Sequence, residues 1–272
     1  MSDQVYEHHL SLKQDKLCPF IIKASKNLRN TICNWHTNIE ILLVTSGEGH
    51  IQYNSSDFQL GEHCIVVVNS GDLHRVYSDS VISFNYMIID ESFCNENGIH
   101  TGERRFDHIF KCDITEHAFL NAYKEYQNYK NNPSAIITAR LRRAVLDLLI
   151  ELYEKHSTDA RIDATVERSP RDYVKNALDY LAEHFTEPLT LEAVADVCGI
   201  TKFHLAREFK RYTGQTVITY INILRCKKAE VCLSEGMTVT EAACESGFDS
   251  ISYFSRTYKK LMGISPSSKK GK

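Results

Sequence analysis

A small unit occurs twice near the end of the 272-residue chain, as "LEAVADVCGITKFHLAREFKRYTG" (191–214) and "TEAACESGFDSISYFSRTYKKLMG" (240–263). Each copy reads as a short helix, a glycine and a second, basic helix with one apolar face. Gly199 and Gly247 stand where a residue must take the left-handed conformation that ends a helix. Ala195 and Ala243 are small enough for two helices to cross closely. Thr201 caps the helix that follows the first turn. In that helix Leu205 and Phe209 face inward, while Lys202, Phe203, Ala206, Arg207 and Lys210 point outward. This is a helix-turn-helix. The second copy has one extra residue after the turn. Phe254 then matches Leu205, Arg256 matches Arg207, Lys259 matches Lys210 and Gly263 matches Gly214. Many helical hairpins imitate one such unit, but two matched copies constrain the fold far more.

The amphipathic pattern from Val217 to Ser234 joins the copies. A helix of about eighteen residues is ~27 Å long, and successive major-groove faces of B-DNA lie ~34 Å apart. Two units on one stiff helix can therefore reach adjacent grooves of one duplex. From Pro170 onward there are 15 Lys and Arg against 12 Asp and Glu, whereas the residues before it carry 17 against 23. The formal net charge of −3 does not oppose this, because a local basic surface is enough for an anionic partner.

Upstream, "IEILLVTSG", "HIQYNSSDFQL", "HCIVVVNSG" and "ISFNYMII" are short β-rich runs separated by Gly, Asn, Ser and Asp turns. They predict an antiparallel barrel or sandwich over residues up to about Asp90. Helical patterns follow at Thr115–Lys130 and Ser134–Lys155. In the second, Leu141, Val145, Leu148 and Leu152 recur on one face, which either packs on the barrel or forms a dimer seam. The polar stretch "HSTDARIDATVERS" predicts a linker, and Ser169-Pro170 with Asp172 predicts a helix start. Beyond it, Val174, Ala177, Leu178 and Leu181 make an apolar face and Thr190 is an expected N-cap. The expected organisation is α+β in two domains: residues 1–156, a linker 157–169, and a helical domain 170–272.

Nine cysteines are scattered without a CxxC pair, which predicts reduced thiols and a cytoplasmic protein. No apolar run approaches the ~20 residues of a membrane helix, and the polar, acidic start argues against a secretory signal. No phosphate loop, nucleophile elbow or HExxH occurs, so no enzyme is expected. The scattered histidines, among them His100, His108 and His117, read as surface residues.

The C-terminal ~100 residues resemble the DNA-binding domain of AraC/XylS-type transcriptional regulators. The likeness rests on Ala195, Gly199 and "HLAREFKRYTG", and on "SGFDSISYFSRTYKKLMGISP". Two departures are the "KKGK" tail after "ISPSS" and Ile251, where the family often has a polar reader; the latter weakens base readout by the second unit. The resemblance implies that Lys202, Phe203, His204, Arg207 and Lys210 face double-stranded DNA. In the second unit Ser250, Ile251, Ser252, Ser255, Arg256 and Lys259 would do so. Arginine can reach guanine O6 and N7 together, whereas serine and lysine more often hold phosphates. Phe203 either touches a thymine methyl or fills the core.

"WHTNIEILLVTSGEG" with "LGEHCIVVVNSGDLH" resembles a cupin. Cupin enzymes bind a metal through two histidines flanking one residue, a glutamate and a later histidine. Here Asn38 takes one histidine position and leaves His36, Glu40 and His74, a set that also matches a facial triad. Attached to the DNA domain, the barrel resembles an AraC-type effector domain. The expectation is therefore a metal-free pocket in which His36, Asn38, Glu40 and His74 bind a small polar effector such as a sugar. No cofactor is expected. The resemblance further implies a homodimer through Leu141, Val145, Leu148 and Leu152, and an activator that meets RNA polymerase. The rival reading is a cupin metalloenzyme with a helical interaction domain.

Overall fold

In the computed structural model, residues 17–158 and 169–269 are described; they belong to two compact units that divide between residues 158 and 169. The first unit is built on one antiparallel sheet. Its strands are β1 (Phe20–Asn30), β2 (Ile39–Gly47), β3 (Gly49–Tyr53), β4 (Ser56–Leu60), β5 (Ile65–Val68), β6 (His74–Ile89) and, after β7 (Arg105–Phe106), β8 (Ile109–Phe110). The order is β4-β3-β6-β2-β5-β8, with β1 also on β6, in a half-barrel. Strand β6 is one long strand that pairs with β3 over His74–Tyr77 and with β2 over Ile82–Ile89. It begins eight residues before the run "ISFNYMII", because His74–Val81 is partly polar and exposed and lacks that run's apolar pattern.

Strand β2 explains why "ILLV", Ile41–Val44, is an unbroken apolar run. Leu42 and Val44 face one cluster with Ile51, Tyr53, Val66, Val68, Val76, Phe84, Tyr86 and Ile88. Ile39, Ile41 and Leu43 face another, with Ile65, Val67 and Met87, which the helices cover. A strand buried on both faces loses the in-out alternation of a half-exposed one.

The covering helices are α2 (Asp113–Asn131) and α3 (Ala135–Lys155), preceded by the short α1 (Glu91–Glu96). Ser134 caps α3 through Ile137 N–H at 3.3 Å. Leu141, Val145, Leu148 and Leu152 are each 0% exposed and belong to the core shared with the sheet. This corrects the dimer seam expected of them: a side chain already enclosed by its own fold has no surface left for a second copy. The first two residues of the expected linker, Ser157 and Thr158, form β9, which pairs with β7. Residues 159–168 of that linker lie outside the described residues.

The second unit is helical. Its elements are α4 (Pro170–His184), α5 (Leu191–Cys198), α6 (Lys202–Thr213), α7 (Val217–Ser234), α8 (Val239–Glu245), α9 (Ile251–Met262) and a 3-10 turn, Pro266–Lys269. The local signals act as read. Ser169 and Asp172 form a capping box, and Thr190 and Thr201 accept from Ala193 N–H and His204 N–H at 3.1 and 3.3 Å. Val174, Ala177, Leu178 and Leu181 are all fully buried. Among the described residues no helix is long and apolar enough to cross a membrane. All nine cysteines are free thiols, seven of them buried.

Candidate nucleic-acid interface and barrel site

The two helix-turn-helix units share one internal design. Leu205 and Phe209 of α6 are fully buried, as are Phe254 and Tyr258 at the matching places of α9. Gly199 and Gly247 both have positive φ, 69° and 84°. Gly214 and Gly263 close the two recognition helices at φ 71° and 78°. Helix α7 connects the units, and its Arg225 donates to the carbonyls of Phe185 and Glu187 at 2.6 and 2.7 Å.

On α6, Phe203, Arg207 and Lys210 form an exposed strip, with Lys202 and His204 half-exposed beside it. Phe203 is 78% exposed, which excludes the core role weighed for it. Lys202 is ion-paired with Glu192 of α5. Arg207 does not hang free. Its Nε donates to Glu208 Oε1 at 2.9 Å, and its Nη2 lies 3.1 Å from His204 Nδ1. Glu208 also accepts from Arg211 at 3.3 Å. Burial pushes the Glu208 carboxyl up, but the hydrogen bonds and charges of Arg207 and Arg211 outweigh it and hold it below the usual carboxylate range.

On α9, Ser250, Ile251, Ser252, Arg256 and Lys259 are exposed and Ser255 is half-exposed. Ser250 is the N-cap, and its Oγ accepts from Tyr253 N–H at 3.3 Å. Ile251 presents an apolar side chain, 48% exposed, at the start of the helix. Tyr253 is tied back to α7 by Asn222, which donates to its hydroxyl at 2.8 Å.

In the half-barrel, three of the four expected site residues come together. His74 opens β6, bridged to Asn34 by reciprocal backbone hydrogen bonds of 2.9 and 3.1 Å. Glu40 lies on β2. Both imidazoles aim Nε2 at one oxygen: His36 and His74 stand 3.0 and 3.1 Å from Glu40 Oε2. All three side chains are at most 6% exposed. Each Nδ1 faces a backbone carbonyl, Asn38 O at 2.8 Å and Asp72 O at 3.2 Å. Burial pushes the Glu40 carboxyl up, and the hydrogen bonds and charges of the two histidines more than reverse that. Asn38 does not join the set. Its Oδ1 accepts from Glu91 N–H at 3.0 Å and fastens the chain entering α1, which corrects its expected place among the ligand contacts.

Residues 20–108 match the family described as AraC-like ligand binding domain, and residues 194–270 match a helix-turn-helix domain. The chain belongs to the AraC-type transcriptional regulators. Two relatives from Bacillus subtilis (strain 168) carry the same general description, uncharacterized HTH-type transcriptional regulator. YbfI is 32% identical over 114 residues, 42% of this chain and 41% of that protein. YdeC is 22% identical over 253 residues, 87% of this chain and 85% of that protein. The regulator thus spans less than half the length of the first and most of the second. Among solved structures, ToxT from Vibrio cholerae superposes with a TM-score of 0.49 at 15% identity, covering 92% of this chain and 94% of that chain.

Sequence reasoning missed Glu208 in this regulator. An acidic residue inside a basic helix reads as a solvated neighbour, yet here it is 4% exposed and orients the arginine beside it. The expected result of Arg207→Ala is a loss of ~1–3 kcal/mol in specific DNA binding with relaxed preference at one base pair. Glu208→Gln is expected to act differently. It removes a negative charge from the basic surface, so non-specific affinity rises, while Arg207, held by a neutral acceptor in place of a carboxylate, loses discrimination. Competition binding with operator variants at fixed salt measures both. Uniform weakening by Arg207→Ala across all sequences would make Arg207 a phosphate contact instead.

Proposed function

We propose that the chain activates transcription by binding operator DNA through α6 and α9, under control of a small polar molecule bound in the half-barrel. The observation that carries the DNA part is the exposed strip Phe203, Arg207 and Lys210 on a glycine-turned helix, repeated in outline by Ile251, Arg256 and Lys259. Solvent exposure of an aromatic ring is unfavourable in the free protein, and contact with a thymine methyl would relieve it. Ile251 supports a lesser base-reading role for α9. Family resemblance supports the homodimer, the activator role and contact with RNA polymerase. A dimer would use a surface other than the buried Leu141–Leu152 stripe. Genome-wide mapping of bound DNA tests the reading, and the genes beside the bound sites indicate the effector class.

A second reading of the barrel triad is favoured by its proton count. Each of the two imidazoles places an acceptor against both ring nitrogens, whereas a neutral imidazole carries one N–H. With the protons on Nδ1, both Nε2 lone pairs meet the Glu40 carboxylate head-on. A divalent cation at that point would satisfy both Nε2 lone pairs and the carboxylate together. The cupin resemblance implies such an ion, and the donor set fits it: His36 Nε2, His74 Nε2 and Glu40, with carbonyls orienting each ring from behind. The ion would supply a Lewis-acidic anchor for a hydroxyl or carboxylate of the effector.

The expected outcome of ligand screening is that a small polar organic molecule raises the melting temperature, by ~2.7 kcal/mol of stabilisation at a hundred times its dissociation constant. It should alter operator affinity, and DNA should alter its affinity by the same factor. Elemental analysis of the purified protein decides between the readings. One metal ion per chain that disappears in His36→Ala supports the cation, and its absence supports the metal-free pocket.

A further inference from the structure

A second cluster of metal-binding residue types lies outside the barrel triad. Cys112, Glu151 and His156 each offer one ligand atom, and these atoms all lie within 4.8 Å of one another. The three come from elements that the fold brings together. Cys112 is the N-cap of α2, Glu151 lies in the last turns of α3, and His156 is the C-cap of α3. All three are half-exposed, so the cluster is reachable from solvent.

The imidazole is held as a metal ligand would need to be. Its ring stacks on Phe110 with centroids 3.7 Å apart and planes 9° from parallel. Its own carbonyl accepts from Asp107 N–H at 2.8 Å, and its Nδ1 faces the Asp107 carboxylate at 3.5 Å. A carboxylate on the Nδ1 side favours the tautomer that leaves the Nε2 lone pair to ligate. That Nε2 is buried and makes no hydrogen bond. Cys112 stands where the first N–H groups of α2 favour an anion.

We propose that Cys112, Glu151 and His156 bind a zinc-type divalent cation. A thiolate, a carboxylate and a neutral imidazole carry two negative charges, which one such ion neutralises. Calcium and magnesium take oxygen ligands and are disfavoured by the sulfur. Three protein ligands leave a fourth position for water. Ligand atoms up to 4.8 Å apart are slightly too spread for bonds of ~2.0–2.3 Å, so binding would draw them inward by small side-chain rotations. The ion would tie the start of α2 to the end of α3.

The test uses the full chain, reduced, stripped with a chelator and titrated with Co2+ as a probe for zinc. Thiolate-to-cobalt charge-transfer absorption should appear with one equivalent and vanish when Zn2+ is added. The barrel triad contains no sulfur and contributes nothing to that band. Cys112→Ser, a mild change at a half-exposed cap, should abolish the band while leaving the circular dichroism spectrum unchanged. Asp107→Asn should weaken cobalt binding by ~10–100-fold, the usual loss when a ligand's support is removed, and His156→Gln, which removes a ligand, should weaken it further. If the wild-type protein shows no band, or if Cys112→Ser retains it through another thiol such as Cys244, the proposal is overturned.

Discussion

Leu148→Lys should unfold the N-terminal unit rather than split a dimer into folded monomers. Leu148 is 0% exposed and lies in the core shared by α2, α3 and the outer face of the sheet. The substitution removes an apolar side chain from that core, at a cost of ~2–5 kcal/mol for truncation alone. It also buries an ammonium group with no partner, which adds several kcal/mol more. Together these reach the whole stability of an ordinary domain, ~5–15 kcal/mol. Near-ultraviolet circular dichroism and thermal melting should show loss of N-terminal tertiary structure, with the helical DNA-binding unit still melting cooperatively. Leu141→Lys and Leu152→Lys should behave alike. A folded, monomeric Leu148→Lys protein seen by ultracentrifugation would return the residue to a subunit seam.

Gly247→Ala should cost about 2–5 kcal/mol and Gly199→Ala only about 1–2, although the two glycines hold the same place in the repeat. Both have positive φ, so a Cβ at either position meets the left-handed backbone penalty, and for Gly199 that is the whole cost: a Cβ there would meet nothing within 4 Å. At Gly247 the same atom would stand 2.4 Å from the Thr186 carbonyl oxygen and 2.6 Å from its Cα. Backbone cannot swing aside as a flexible side chain can. The Thr186 segment is further fixed by Arg225, which holds the carbonyls on both sides of it. Denaturant midpoints for the two variants give the comparison. Equal losses would mean that the Thr186 segment yields and the close approach carries little energy.

Much of the helical unit was legible in the sequence because its signals are local. Caps at Ser169, Thr190 and Thr201, left-handed glycines, and apolar positions at helical spacing each act within a few residues, and the structure uses them where the sequence places them. The repeat doubled that signal. Helix α7 runs over Val217–Ser234, the pattern read for it. In the half-barrel, "IEILLVTSG" is β2 to the residue. The start of β6 was not readable, because its first eight residues mix polar and exposed positions and are held by partners distant in sequence.

The sequence by itself determined the repeated helix-turn-helix pattern and its outward basic positions, since side-chain chemistry and short-range periodicity are properties of the chain; the grouping of His36, Glu40 and His74 came from the cupin resemblance. Only the tertiary structure decided how each group is used. It turned Asn38 away to fasten α1, because the hydrogen-bond partner of an amide depends on which backbone arrives beside it. It sent the Leu141–Leu152 stripe into the core, because an apolar face says that something must cover it and not what. It set Glu208 against Arg207 and Arg211, where burial and ion pairing make a carboxylate part of a basic surface. And it joined Cys112 to Glu151 and His156 across some forty residues of chain, a proximity that arises only from the packing of α2 on α3.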